Sequence, residues 1–116
     1  MVQYRSRPGV NRVAAAIADP TRRAIIERLA RGPARISDVA ALFAMSLTGF
    51  CKHVRVLERA KLVRRTRRGR ENTLELSPQP LHDVAQWLSQ YEHFWNARID
   101  RLEKFLASEK QKENYR

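Results

Sequence analysis

The sequence predicts one mainly α-helical domain that carries a small β-hairpin and ends in a long helix. Three observations carry that expectation. Helix-starting signals recur at Asp19-Pro20 and Ser46, and the hydrophobic period changes from helical to alternating at Leu62. A helical apolar stripe then returns over about 30 residues at the C-terminal end. A length of 116 residues suits a single domain. With 43% hydrophobic residues the chain is too apolar for disorder, and with 30% charged residues and no run of 18 apolar ones it is unsuited to spanning a membrane. Its start, from Met1 to Pro8, lacks the apolar core of a secretory signal, so the expected location is cytoplasmic. The single Cys51 excludes an intrachain disulfide and a cysteine-rich zinc site.

Residues 1–10, with Pro8 and Gly9, read as a flexible basic arm. Asn11 can cap a short helix that carries Val13, Ala14 and Ile17. Asp19 caps the next, with Pro20 at the first helical position, where no N–H is needed. Ile25, Ile26 and Leu29 share one face of that helix, which stops at Gly32-Pro33. Ser37 is the expected cap of a third helix with Val39, Leu42 and Phe43 turned inward.

After a tight break at Ala44-Met45-Ser46, Ser46 caps a fourth helix, and Met45 and Phe50 can form a hydrophobic staple across its start. Leu47, Phe50, Val54 and Leu57 fall on one stripe, while Thr48, Lys52, Arg55 and Arg59 gather on the opposite side. A short connection, an apolar inner stripe and a basic outer one describe the second half of a helix-turn-helix. Leu62–Thr66 and Asn72–Leu76 then read as two strands joined by Arg67-Arg68-Gly69-Arg70, with Gly69 supplying a positive φ. From about Pro80 to about Glu109 a helix of about 45 Å follows. Its apolar positions, from Leu81 and Val84 through Leu88, Tyr91, Trp95, Ile99 and Leu102 to Leu106, are spaced three and four apart. A domain this small has too little core to cover that face, so a second copy of the helix should do so. Residues 110–116 should fray.

The net charge of +11 is unevenly placed. Residues 52–70 hold nine basic residues against Glu58 alone, whereas residues 81–116 balance six against six. So local an excess suits a polyanion, because neutralising phosphates releases condensed counterions. An enzyme is poorly supported. The chain has no phosphate-cradling glycine motif, no nucleophile with a base at hand and no converging carboxylates, and no cofactor is expected.

The order of elements resembles the ArsR family of winged helix-turn-helix repressors. The likeness rests on Ala18-Asp19-Pro20-Thr21-Arg22-Arg23, on the stretch from Met45 to Glu58, and on Lys61-Leu62-Val63-Arg64 followed by Gly69. It covers roughly residues 11–108. The resemblance implies a winged-helix DNA-binding and dimerisation domain over residues 11–109. It also implies a homodimer that places two recognition helices in successive major grooves of double-stranded DNA. The residues expected at DNA are Ser46, Leu47, Thr48, Cys51, Lys52, His53, Arg55 and Arg59 on the helix, with Arg67, Arg68 and Arg70 on the wing. His53 should orient or touch a phosphate, since no carboxylate neighbours it in sequence. Val13, Ile17, Leu88, Tyr91, Trp95, Ile99, Leu102 and Leu106 are expected at the dimer interface. Many members carry Gln where this chain has Leu47, and Ser where it has Cys51. Leu47 can touch a thymine methyl or simply pack, and Cys51 can be an inert small residue or a redox-sensitive thiol.

Members that sense thiophilic metals carry paired cysteines on the first helix of the helix-turn-helix; residues 36–43 contain none. His82 and His93 have the spacing of the zinc-sensing pair, but Pro80 and Asn96 stand where further ligands belong, so no metal is expected. Trp87, Tyr91, Phe94 and Trp95 could line a pocket for a small apolar effector, although such stripes serve more often as core. The alternatives to a specific repressor are a sequence-blind DNA- or RNA-binding protein, and a zinc-responsive sensor using the two histidines.

Overall fold

The computed structural model describes residues 7–114, which divide into two compact units at Val84 and Ala85. The first contains helices α1 (Pro8–Ile17), α2 (Pro20–Leu29), α3 (Ile36–Ala40) and α4 (Leu47–Arg59), strands β1 (Ala34–Arg35), β2 (Val63–Arg68) and β3 (Glu71–Leu76), and the start of α5 (Gln79–Ser89). The second contains the end of α5 and α6 (Glu92–Asn114).

Asp19 behaves as its sequence context requires. Its carboxylate accepts from the N–H of Arg22 at 3.0 Å, and Pro20 occupies the first turn. Ser46 caps α4 in the same way, accepting from the N–H of Gly49 at 3.1 Å. Two other starts differ from expectation. Helix α1 opens at Pro8 rather than after Asn11, because a proline at the first position needs no donor, so residues 8–10 of the expected arm are helical. Residues 1–6 of that arm lie outside the described residues. Helix α3 opens at Ile36, capped by the backbone of Arg35 without a side-chain bond, and Ser37 is inside it.

The cause of the second shift is a strand that the sequence pattern did not signal. Ala34 and Arg35 pair antiparallel with Leu74 and Thr73, so the hairpin is the larger part of a three-stranded sheet of order β1-β3-β2. A two-residue strand has no period to read. Along the hairpin the register runs from Val63 opposite Leu76 to Arg68 opposite Glu71. That leaves Gly69-Arg70 as the turn, with Gly69 at φ 60°, and puts Arg67 and Arg68 within β2 rather than in the loop.

The core of the first unit gathers one to three residues from nearly every element: Val13 and Ala16, Ile25 and Leu29, Val39, Phe50, Val54 and Leu57, then Leu62, Val63 and Leu74. Val13, expected at the dimer interface, is only 1% exposed and packs within this core. Ile17 is half-buried against the same core. Leu42 is a second correction: it lies 62% exposed just beyond α3, while Phe43 packs on the core and meets Phe50 at 5.8 Å between ring centroids. That ring contact takes the place of the Met45–Phe50 staple, and Met45 is exposed.

The C-terminal segment is not one uninterrupted helix. At its break the Ser89 hydroxyl donates to the Gln86 carbonyl at 2.6 Å, the acceptor that the Gln90 N–H would otherwise use. The N–H groups of Gln90 and Tyr91 turn to Trp87 and Leu88, three residues back, and α6 restarts at Glu92. Helix α6 then runs to Asn114, past the expected fraying point.

Helix α4 ends in a Schellman turn. The N–H of Leu62 reaches the Leu57 carbonyl and that of Lys61 reaches Glu58, each at 3.0 Å. The residue in the left-handed position is Lys61, at φ 61°, where glycine is the unstrained choice. Lys61→Gly is therefore expected to stabilise the domain by about 1 kcal/mol. Thermal denaturation checks this, and an unchanged or lower midpoint would contradict it.

Candidate nucleic-acid interface

A helix presents side chains about every 100°, so the angular position of each residue on α4 follows from its number. Phe50, Val54 and Leu57 are fully buried. On the far side, Thr48, Lys52, Arg55 and Arg59 are exposed, and Cys51 is half-exposed at the edge of their row. Leu47 departs from the inner stripe assigned to it. It is 62% exposed, because a side chain in the first turn leans back toward the helix start, past the end of the core. Leu47, Thr48, Cys51, Lys52 and Arg55 together line a shallow depression of about 260 Å³. Arg59, one turn on, lines different depressions with Arg12 and Ala15 of α1.

The sheet supplies the second cationic surface. Val63 of β2 enters the core; Arg65 follows it on the same face, opposite Leu74, and pairs with Glu58 of α4 at 2.8 Å. This ion pair ties the base of the wing to the helix. Arg67, next on that face, folds its Nε onto the Gly69 carbonyl at 3.1 Å. Arg64 and Arg68 occupy the opposite, solvent face. Arg35 of β1 pairs with Glu71 at 3.2 Å. Among the described residues, Lys52, Arg55, Arg59, Arg64, Arg68 and Arg70 form no ion pair. The alternating pattern places Arg64 in a strand, and the register shows that it takes the solvent face.

His53 does not lie on the basic row. It sits roughly 130° around α4 from the centre of the basic row, turned toward α1 and α2, with its side chain 24% exposed. Its Nδ1 lies 3.3 Å from an Arg22 guanidinium nitrogen and 3.8 Å from Asp19 Oδ2, so a carboxylate does stand beside it, brought there by the fold. Arg22 also donates to the Ala16 carbonyl at 2.6 Å and the Ala15 carbonyl at 3.1 Å, and Arg23 to that of Ile17 at 2.7 Å. These carbonyls belong to the last turn of α1, where intrahelical donors run out; that of Ala15 also accepts the Ala18 N–H, at 3.4 Å.

In the second unit, Leu88, Tyr91, Trp95, Ile99, Leu102 and Leu106 are all exposed, with Phe94 and Phe105 beside them. Trp87 meets Tyr91 edge-on at 5.5 Å, and the Arg98 guanidinium lies 4.2 Å from the Phe94 ring centre. His82 is on α5 and His93 on α6; among the described residues, no three His, Cys, Asp or Glu side chains converge as a metal site. No helix is long and apolar enough to cross a membrane among the described residues.

Comparison with known proteins agrees with this geometry. Residues 17–66 match a helix-turn-helix domain family. Over 109 residues, 94% of this chain and 96% of the relative, the sequence is 33% identical to the HTH-type transcriptional regulator Rv2034 of Mycobacterium tuberculosis. It is 32% identical to the transcriptional repressor SdpR of Bacillus subtilis over 79 residues, 68% of this chain and 88% of the relative. The fold is similar to the crystal structure of an ArsR family transcriptional regulator, with a TM-score of 0.71 and 39% identity, covering 76% of this chain and 97% of that one.

The Arg22 N–H bond holds the Asp19 carboxyl below its ordinary range, with the charges of His53 and Arg22 acting in the same direction against partial desolvation. A depressed value means that this carboxylate stabilises the fold above about pH 4, and that the contribution is lost as pH falls through the folded-state value. Asp19→Asn should therefore melt below the parent at pH 7, with the gap closing toward pH 3. A gap independent of pH in thermal melts would contradict this.

Proposed function

The chain belongs to the ArsR family of winged helix-turn-helix transcriptional regulators, and on that premise we propose that it is a homodimeric repressor binding double-stranded DNA at specific sequences. The observation that carries this is the row of unpaired, exposed cations on α4, directly behind which the same helix is locked into the core. A B-DNA major groove admits a helix. Lys52 and Arg55 suit phosphates or guanine edges, Thr48 suits either, and Leu47 suits a thymine methyl. Arg68 and Arg70, with Arg64 behind them, suit the backbone or a narrow minor groove beside the helix. Leu47 offers no bidentate bond to adenine, so direct readout at its base relies on shape and methyl contact.

Homodimerisation is supported by the apolar row of the second unit, which stays exposed for several turns among the described residues. A second copy of the same row is its natural cover, and a two-fold pair would present its recognition helices about 34 Å apart, one turn of DNA. The repressor assignment follows the Bacillus subtilis relative.

Competition binding tests the proposal. A specific regulator should prefer the region upstream of its own gene over bulk DNA by at least ~10³ at equal salt. Equal affinity would make the protein a sequence-blind DNA coat instead. Lys52→Ala and Arg55→Ala should each weaken operator binding about tenfold or more while leaving the subunit composition unchanged. Loss of the dimer in either variant would show that the α4 row serves assembly. Leu102→Glu places a charge in the exposed row of α6 and should yield monomers in sedimentation, with loss of tight DNA binding; an unaltered sedimentation profile would refute that interface.

A further inference from the structure

We propose that Arg22 and His53 are positioning residues for DNA binding, in which a neutral His53 clamps the back of the recognition helix and its protonation releases the clamp. The inference rests on the regulator reading above and adds a regulation to it.

Arginine only donates hydrogen bonds. Arg22 spends Nε and one terminal nitrogen on the Ala16 and Ala15 carbonyls at the end of α1, which orients the guanidinium plane from two sides. The remaining terminal nitrogen faces His53 Nδ1 at 3.3 Å. Facing a donor, Nδ1 must accept, and a histidine nitrogen accepts only when the ring is neutral with its proton on Nε2. Three helices therefore meet through one guanidinium: the end of α1, the first turn of α2, and the side of α4 turned away from its basic row.

Protonation changes the sign of that contact. A hydrogen on Nδ1 confronts an Arg22 donor, and two cations stand side by side. Its available acceptor is Asp19 Oδ2, now 3.8 Å away, which already receives the Arg22 N–H. Among the described residues, Asp19 and Arg22 are the charged groups bonded or paired with His53, and Arg22 links it to the Ala15 and Ala16 carbonyls of α1. The imidazolium must turn from Arg22 toward Asp19, and α4 loses its polar tie to α1, keeping only the apolar packing. Side chains about a quarter exposed leave the proton a route from solvent.

The expected direction opposes simple electrostatics. Another positive charge on α4 would strengthen attraction to phosphate as pH falls. Release of the clamp weakens DNA binding instead.

The test uses the full chain and a labelled duplex from the region upstream of its own gene, with affinities measured at pH 7.5 and 5.5 in constant salt. The parent should bind about tenfold more weakly at pH 5.5. His53→Gln offers Arg22 an amide oxygen that cannot be protonated, so its affinity ratio between the two pH values should be near one, or reversed. His82 and His93 remain in that variant, so their titration cannot produce the difference. Parent affinity that holds steady or rises on acidification overturns the clamp, as does a His53→Gln variant that keeps the parent's drop. An independent readout needs no DNA: nitrogen-15 NMR of the free protein at pH 7.5 should show His53 protonated on Nε2, and the opposite tautomer overturns the clamp. If the parent fails to bind DNA at pH 7.5, the regulator reading fails, and the tautomer still decides the clamp.

Discussion

A helix can bury only one side, and the burial of Phe50, Val54 and Leu57 is the constraint on which the rest of this structure depends. Residues on a rigid helix cannot rotate independently. Fixing those three in the core fixes Thr48, Lys52 and Arg55 at the surface as a set. The core has no buried polar or charged residue among those described, so nothing competes with the apolar stripe for the inward position. The wing is registered to the same helix by the Schellman turn at Lys61, by the Ser77 N–H bonded to the Leu62 carbonyl at 2.7 Å, and by Arg65 paired to Glu58. A cationic helix and a cationic hairpin thus share one foundation.

Short helices bring a second demand: each end leaves backbone groups without partners. With ten residues, α1 and α2 spend a large fraction of their length on ends. The motif Asp19-Pro20-Thr21-Arg22-Arg23 answers both sides of one junction. Asp19 serves the donors of α2, and the two arginines serve the acceptors of α1. Placing cations against a helix C-terminus and an anion against a helix N-terminus also suits both macrodipoles. The same five residues therefore set the angle between two helices, and through His53 that junction reaches the third.

How much of the interface could be read from residues alone follows from which property each position depends on. Lys52 and Arg55 depend only on helical period and were legible. Leu47 depends on where the core stops under the first turn, and period alone put it inside. His53 depends on what α2 brings near it. Asp19 is 34 positions away in sequence, a separation no local pattern reports. Arg67 and Arg68 depended on the length of the turn, which the register Arg68–Glu71 fixes at two residues. Arg59 shares its face with Lys52 by angle, yet its neighbours are on α1.

The sequence by itself determined the helix starts at Asp19-Pro20 and Ser46, the change of period at Leu62, the inner and outer rows of α4 and the concentration of charge in residues 52–70. All of these are local, because capping, periodicity and charge density act over a few residues. Tertiary structure alone decided that Ala34-Arg35 form a strand, that Val13 belongs to the core, and that Arg22 joins three helices. Each of those outcomes is set by hydrogen bonds or burial involving groups that a short window of sequence does not weigh against one another, and only the folded chain brings those competing partners within reach.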